Sequence, residues 1–302
     1  MPTEKNRIVI GTRGSVLARA QADIVKKRLL EKNPELSIEV KIIVTSGDKD
    51  QKSHLSTIGG KGIFIKELES ALLDGSIDIA VHSFKDVTSH LAPGLCLAAF
   101  RTPESVCDVM ITHGGVSLEK LPRSARIGTG SVRRKALLSR TRADLYTAEI
   151  RGNIDTRLAK VDRRDYDAIM LSEAGLIRLG LNDRIAVRFD PSTFYPAPGQ
   201  GVITVETRDD DTRLREIAAM AGDDAQKTIS AAELALLSTV GFDCRTPLGV
   251  YTTLDDTALS MRGFFIPPEG GEFREAEVHG STADPATVGN ELAACLLEGT
   301  AG

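Results

Sequence analysis

One strand–turn–helix phrase occurs twice in this chain, and that repeat limits the fold more than any other feature. RIVIGTRGSVLARAQ at 7–21 returns as ARIGTGSVRRKALLSR at 125–140. Each copy reads as a short apolar strand, a Gly-Thr turn, a Ser at the helix start, and apolar residues at helical spacing. A second pair of echoes, IDIAVHSFKD at 77–86 and YDAIMLSEAG at 166–175, sets an Asp before an apolar strand that ends at Ser. Strands alternating with helices imply parallel pairing. Two copies therefore predict two similar α/β lobes, with a ligand cleft at the carboxyl ends of their strands.

The remaining segments fill in this plan. IEVKIIVTS reads as a strand, LYTAEI as another, and IFIKELESALLDG as a helix. GDKDQKSHLSTIGGKG at 47–62 is polar and too long for an ordinary connection, so a mobile loop or lid is expected there. PAPGQGVITVE at 196–206 combines a turn with a strand that returns the chain to the first lobe. Beyond Asp223 the pattern changes to a helix (QKTISAAELALLSTV), three strands (YTTL, ALSMRGFFI, EFREAEVHG) and a closing helix. The expected division is lobe 1 at 1–101 plus 202–219, lobe 2 at 102–201, and a small C-terminal α+β domain at 220–302.

Composition removes several classes of function. A net charge of −4 over 302 residues gives no nucleic-acid footprint, and no apolar run approaches the length of a membrane span. The four cysteines, at 96, 107, 244 and 295, form no CxxC pair and have no nearby His, so neither a disulfide framework nor a metal site is expected. With no apolar leader before a small-residue cleavage site, the reading is a cytoplasmic protein.

The arginines gather in a few places. Arg13 and Ser15 follow the first Gly-Thr turn; Thr129, Ser131, Arg133 and Arg134 follow or flank the second. Guanidinium groups at a helix N-terminus oppose the positive end of the macrodipole, and a bound anion would remove that conflict. Capped helices with solvated arginines are the plainer alternative. Arg151 and Arg157 form a third cluster in EIRGNIDTRLAK. Arginine grips carboxylate and phosphate in a two-pronged way, and without a GxxxxGK[ST] loop a polycarboxylate is the better fit. In HSFKDV, Lys85 and Asp86 are either a structural ion pair or cap, or a lone catalytic anion among cations; the catalytic reading is favoured. Cys96, Cys107 and Cys295 suit cores. Cys244 stands in the turn GFDCRTPLG beside Arg245, where a reactive and an idle thiol are both open.

Taken together, GTRGSVLARAQ, TSGD, GGKGIFIKELE, DIAVHSFKDV, IGTGSVRRKALL, IRGNIDTRL, YDAIMLSEAGLIRLGL and PAPGQG closely resemble the porphobilinogen deaminase (hydroxymethylbilane synthase) family. They run in family order through most of residues 7–206, and the Cys244 turn follows at the expected distance. The sequence differs from the family in having Phe242-Asp243 before the cysteine, in place of Gly-Gly, and Thr88 after the KDV motif, in place of Pro.

The resemblance implies two periplasmic-binding-protein-like lobes with parallel-rich mixed sheets, plus the small C-terminal α+β domain. It implies a transferase of porphyrin and heme biosynthesis, cytoplasmic and monomeric. Four porphobilinogen molecules would be condensed, with loss of ammonia, onto a dipyrromethane primer in thioether linkage to Cys244; hydrolysis would then release hydroxymethylbilane. Carried over by motif position, Asp86 is the catalytic carboxylate, with Lys85 beside it. Cofactor contacts are Ser83, Lys85, Asp86, Thr129, Ser131, Arg133, Arg134, Arg151 and Asn153. Substrate contacts are Arg13, Ser15, Phe64, Arg157, Arg178 and Gln200, and the lid carries Gly59, Gly60, Lys61 and Gly62.

The chemistry agrees with this set. An alkylamine titrates near 10.4, so the substrate arrives protonated and ammonia needs no acid to leave. The positive charge left on the ring is best met by an ionised carboxylate, and Asp86 is expected to act as that anion. Two rival readings share the scaffold. A two-lobed anion receptor leaves Cys244 and Asp86 without a task, and a nucleotide-using transferase lacks its phosphate loop.

Overall fold

The computed structural model describes residues 6–45, 65–87, 91–241, 246–267 and 271–299. Contacts group the chain into two units, Met1–Pro103 with Val202–Lys227 and Glu104–Gly201 with Thr228–Gly302.

In the first unit, β1 (Arg7–Thr12), β2 (Ser37–Ile42), β3 (Ile79–Ser83), β4 (Leu95–Arg101) and β10 (Ile203–Arg208) make one sheet in the order β2-β1-β3-β10-β4. β1 pairs in parallel with β2 and β3, while β10 enters antiparallel between β3 and β4. The PAPGQGVITVE strand thus does return the chain to the first sheet. Alternation along each strand fills both faces. Ile8, Ile10, Ile79, Val81, Ile203 and Val205 pack against Ala22, Val25 and Leu29 of α1 (Val16–Lys32) and Leu214 and Ala218 of α6 (Thr212–Ala219). Ile77, Ala80 and Leu95 pack against Leu68 and Leu72 of α2 (Lys66–Leu73).

The second unit repeats the design. β5 (Asp108–Thr112), β6 (Arg126–Gly128), β7 (Tyr146–Ala148), β8 (Ala168–Ser172) and β9 (Val187–Arg188) form the order β7-β6-β8-β5-β9, parallel on the β7-β6-β8 side and antiparallel beyond it. One face meets Leu137 and Leu138 of α3 (Val132–Thr141); the other meets Leu158 and Val161 of α4 (Ile154–Asp162) and Leu176 of α5 (Glu173–Arg178). β1 corresponds to β6 and β3 to β8, which are the elements that carried the sequence echoes.

The glycine of each Gly-Thr turn is fixed by space. A Cβ on Gly11 would lie 2.3 Å from Ile77 Cδ1, and one on Gly128 would lie 3.0 Å from each of Ile150, Ile169 and Tyr166. Side chains of neighbouring elements fill the space over both glycines, so a larger residue there would require them to shift.

The same unit holds a third, antiparallel sheet of β11 (Leu248–Leu254), β12 (Ala258–Phe265) and β13 (Arg274–Ser281). Its Leu248, Val250, Leu259, Met261 and Phe265 close over Leu236 of α7 (Asp224–Val240) and Leu292 and Leu296 of α8 (Pro285–Glu298). This is the small C-terminal α+β domain, and the mixed α/β fold class stands. Phe264 leans the other way, stacking on Phe273 with ring centroids 4.6 Å apart and joining the core under α3. Cys96, Cys107 and Cys295 are only partly buried, whereas core positions were expected. β4 is an edge strand, so Cys96 has a neighbour on one side only.

Candidate active site

The first unit presents a carboxylate on a firmly anchored turn. β3 ends at Ser83, and Phe84–Asp86 make a single 3-10 turn closed by Val87 N–H donating to Phe84 O. Phe84 is the anchor. Its ring is buried edge-on against Phe100, centroids 5.0 Å apart, and its N–H donates to Val202 O. Lys85 and Asp86 consequently face solvent while the backbone beneath them is held. Ser83 Oγ accepts a 2.8 Å hydrogen bond from Gln21 Nε2 of α1. One residue earlier, buried His82 Nε2 meets Glu206 Oε2 of β10 at 2.8 Å. Arg13, partly exposed, lies just before α1, and Ser15 is that helix's N-cap, its Oγ accepting from Ala18 N–H at 3.2 Å.

The second unit answers the conflict at the N-terminus of α3 from inside the protein. Asp108, the first residue of β5, is fully buried between the two arginines. Arg133 Nη1 donates to Asp108 Oδ2 at 2.5 Å and to Tyr195 O at 2.6 Å; Arg134 Nε donates to Asp108 Oδ1 at 2.8 Å and its Nη1 to Met170 O at 3.1 Å. Burial alone would raise the Asp108 carboxyl, but the two guanidinium groups outweigh it and hold it at about 2. Burial pulls Arg134 below the ordinary arginine range against the opposing pull of Asp108, yet arginine keeps its charge in proteins. Two cations and one anion leave the cluster with a net positive charge. Thr129 Oγ1 accepts from Ser131 N–H, and Ser131 Oγ caps α3 by accepting from Arg134 N–H.

The structure also shows where the other predicted residues lie. Gln200 is buried in this same cluster: its Oε1 accepts from Arg133 Nη2 at 3.2 Å, and its Nε2 donates to Val106 O at 2.7 Å and to Asp108 Oδ1 at 3.2 Å. Arg178 is also turned inward. Its side chain is 3% exposed, and Nη2 donates to Glu104 Oε2 at 2.6 Å and to Gly201 O at 2.5 Å. Both were expected to touch substrate; as folded, they bind protein. Arg151, Asn153 and Arg157 gather at the start of α4, where Arg157 Nε donates to the Gly152 carbonyl at 2.7 Å and the Asn153 carbonyl accepts the Arg157 N–H. Asn153 is exposed and the two arginines are partly so. Cys244, Phe64, Gly59, Gly60, Lys61 and Gly62 lie outside the described residues.

Sequence reasoning missed three groups, Gln21, Asp108 and Glu233. Gln21 sits on the buried stripe of a helix, Asp108 opens an otherwise apolar strand, and Glu233 is a buried acid in α7. A lone polar residue inside an apolar segment was the available signal in each case. Among the described residues, no group of three or more His, Cys, Asp or Glu could hold a metal ion, and no helix is long and apolar enough to cross a membrane.

The fold and these side chains define an α/β protein with a buried cluster of net positive charge in one unit and a solvent-facing carboxylate in the other. Comparison with known proteins narrows this class. A family model described as porphobilinogen deaminase, dipyromethane cofactor binding domain, matches residues 8–216, and one described as porphobilinogen deaminase, C-terminal domain, matches 227–298. The porphobilinogen deaminase of Sorangium cellulosum is 42% identical over 99% of this chain and 100% of its own length, and that of Nitrobacter winogradskyi is 43% identical over 96% and 92%. Among solved structures, a nutrient binding protein from Burkholderia cenocepacia bound to methionine superposes with a TM-score of 0.44 at 12% identity, over 78% of this chain and 96% of that one. The chain belongs to the porphobilinogen deaminase family. That membership decides for a transferase of porphyrin biosynthesis and against a two-lobed receptor.

Proposed function

We propose that this enzyme joins porphobilinogen units head to tail on a dipyrromethane primer tethered through a thioether to Cys244, and then releases hydroxymethylbilane. The three-part division at 1–101 plus 202–219, 102–201 and 220–302 belongs to the same reading, as do a monomeric state and a cytoplasmic location. The observation that carries the proposal is the chemistry of the available donors in a chain of this family. Pyrrole acetate and propionate groups need guanidinium and hydroxyl partners, and the Asp108–Arg133–Arg134 cluster keeps a positive charge that Asp108 does not cancel. The residues therefore fit a polycarboxylate primer.

When bound, the primer supplies a nucleophilic ring carbon fixed in place. Arg133 and Arg134 would hold its carboxylates through the N–H groups that their protein partners leave over, with Thr129, Ser131, Arg151, Asn153, Ser83 and Lys85 in support. Arg13, Ser15 and Arg157 hold the incoming substrate; Phe64 and Gly59–Gly62 belong to this reading by their family motif alone. As the C–N bond of the substrate breaks and ammonia leaves, the Asp86 carboxylate faces the cation developing on the substrate ring. It then accepts the proton given up when the new C–C bond forms. Gln200 and Arg178 act by holding neighbouring backbone in position.

Intact-mass measurement tests the tether. The expected result is an adduct of dipyrrole mass on the active protein and none on Cys244→Ser. An unmodified wild-type chain with full activity would overturn the proposal.

A further inference from the structure

Glu233 has no task in the mechanism above, yet it is one of the most unusual groups in the molecule. It is buried in the middle of α7, and no cation among the described residues pairs with it. An unpaired carboxylate is costly to bury. Two hydrogen bonds hold it there: Gly199 N–H donates to Oε2 at 2.7 Å, and Thr252 Oγ1 donates to Oε1 at 2.9 Å. Burial raises its carboxyl to about 7, with the Gly199 and Thr252 bonds pulling the other way.

The partners link two parts of the unit. Thr252 belongs to β11 of the C-terminal sheet, and β11 also takes hold of the same loop where Val250 N–H donates to Pro196 O at 2.9 Å. Gly199 precedes Gln200, whose side chain bonds both Arg133 and Asp108. A continuous chain of hydrogen bonds and one peptide link therefore runs from β11 through Glu233 to the cationic cluster. α7, which bears Glu233, ends at Val240, four residues before Cys244 in the sequence.

We propose that Glu233 is a positioning residue for the condensation: it sets the 196–200 loop, and through Gln200 the Arg133–Arg134–Asp108 cluster, in register with the helix that precedes Cys244. The helix that leads to the tether and the carboxylate holders then keep one spacing while the chain grows. This inference rests on the deaminase reading. Because the holders act on a covalently attached primer, a fault in register lowers kcat and leaves the capture of free substrate unchanged.

The test compares Glu233→Ala and Glu233→Gln with wild type in the full-length enzyme, reading primer loading by intact mass, folding by thermal melt, and kcat and KM for porphobilinogen. Glutamine can accept from Gly199 N–H and donate to a turned Thr252 hydroxyl, whereas alanine leaves both without a partner. For loaded, folded Glu233→Ala the expectation is a kcat lower by about tenfold to hundredfold, as misplacement near 1 Å produces, with KM little changed. Glu233→Gln should recover most of that loss. Wild-type kcat in Glu233→Ala, or a Glu233→Gln no better than alanine, overturns the proposal. If Glu233→Ala does not fold, Gln200→Ala cuts the same chain further along: lost kcat at unchanged KM supports the inference, and unchanged kcat overturns it. An inactive, unloaded wild type would instead count against the deaminase reading.

Discussion

Two carboxylates illustrate how the surroundings decide what one functional group does. Asp108 is locked between two guanidinium groups and serves the fold, because removing one member of a buried ion cluster strands the others in a medium that solvates them poorly. Asp86 sits exposed on a turn whose strength comes from Phe84 beneath it, so its own side chain is dispensable for folding. Asp86→Ala is therefore expected to unfold within about 0.5 kcal/mol of wild type while losing roughly a hundredfold or more in turnover. Urea melts and porphobilinogen consumption check the two halves; near-normal consumption would remove Asp86 from the mechanism. Neither the Asp108 pairing nor the inward turn of Arg178 and Gln200 was legible in the sequence. Asp108 meets Arg133 from 25 positions away and Gln200 meets Asp108 from 92, and a single sequence does not record which distant side chains converge.

At the scale of elements the sequence was far more readable. β1, α1 and β3 follow from apolar periodicity, and the duplicated Gly-Thr turns foretold the correspondence between β1 and β6. Alternation is a local property, so it survives in one sequence. What it concealed was the edge: β4 looks as apolar as a central strand, but among the described residues it pairs only with β10, and Cys96 on it stays partly exposed. The serines after the turns were expected to contact cofactor or substrate, with helix capping as the plainer alternative, and the structure shows Ser15 and Ser131 capping α1 and α3. The glycines of these turns give the sharpest prediction here. At Gly128 an added methyl group meets Ile150, Ile169 and Tyr166 together, with no single flexible side chain able to yield. Gly128→Ala should cost about 1–3 kcal/mol by overpacking, read as a lower denaturant midpoint at unchanged slope.

Of the buried acids among the described residues, Asp108 and Glu233 are shifted in opposite senses. The Asp108 carboxyl is depressed from 3.8 to about 2, so its contribution to stability is present above pH 3.8 and is lost as pH falls through about 2. The Glu233 carboxyl is raised from 4.5 to about 7, so the folded state holds its proton more tightly, and that contribution is complete below pH 4.5 and lost as pH rises through about 7. A shift of this size corresponds to roughly 3 kcal/mol. Stability of the wild type should therefore decline between pH 4.5 and 7 on account of Glu233, and Glu233→Gln should flatten that decline while leaving the acid limb alone. Urea melts across pH 2 to 8 would show it; parallel curves for the two proteins would rule out the assignment.

The strand order of the first sheet also has a consequence for the newborn chain. β10 stands between β3 and β4, so that sheet waits for residues 203–208 before β4 can join it, whereas the sheet of the second unit is complete by Arg188. On a ribosome releasing the protein from its N-terminus, the five-stranded sheet begun later is the one that can be finished first. The earlier strands emerge as an open edge that must be kept from sticking until their missing neighbour is translated.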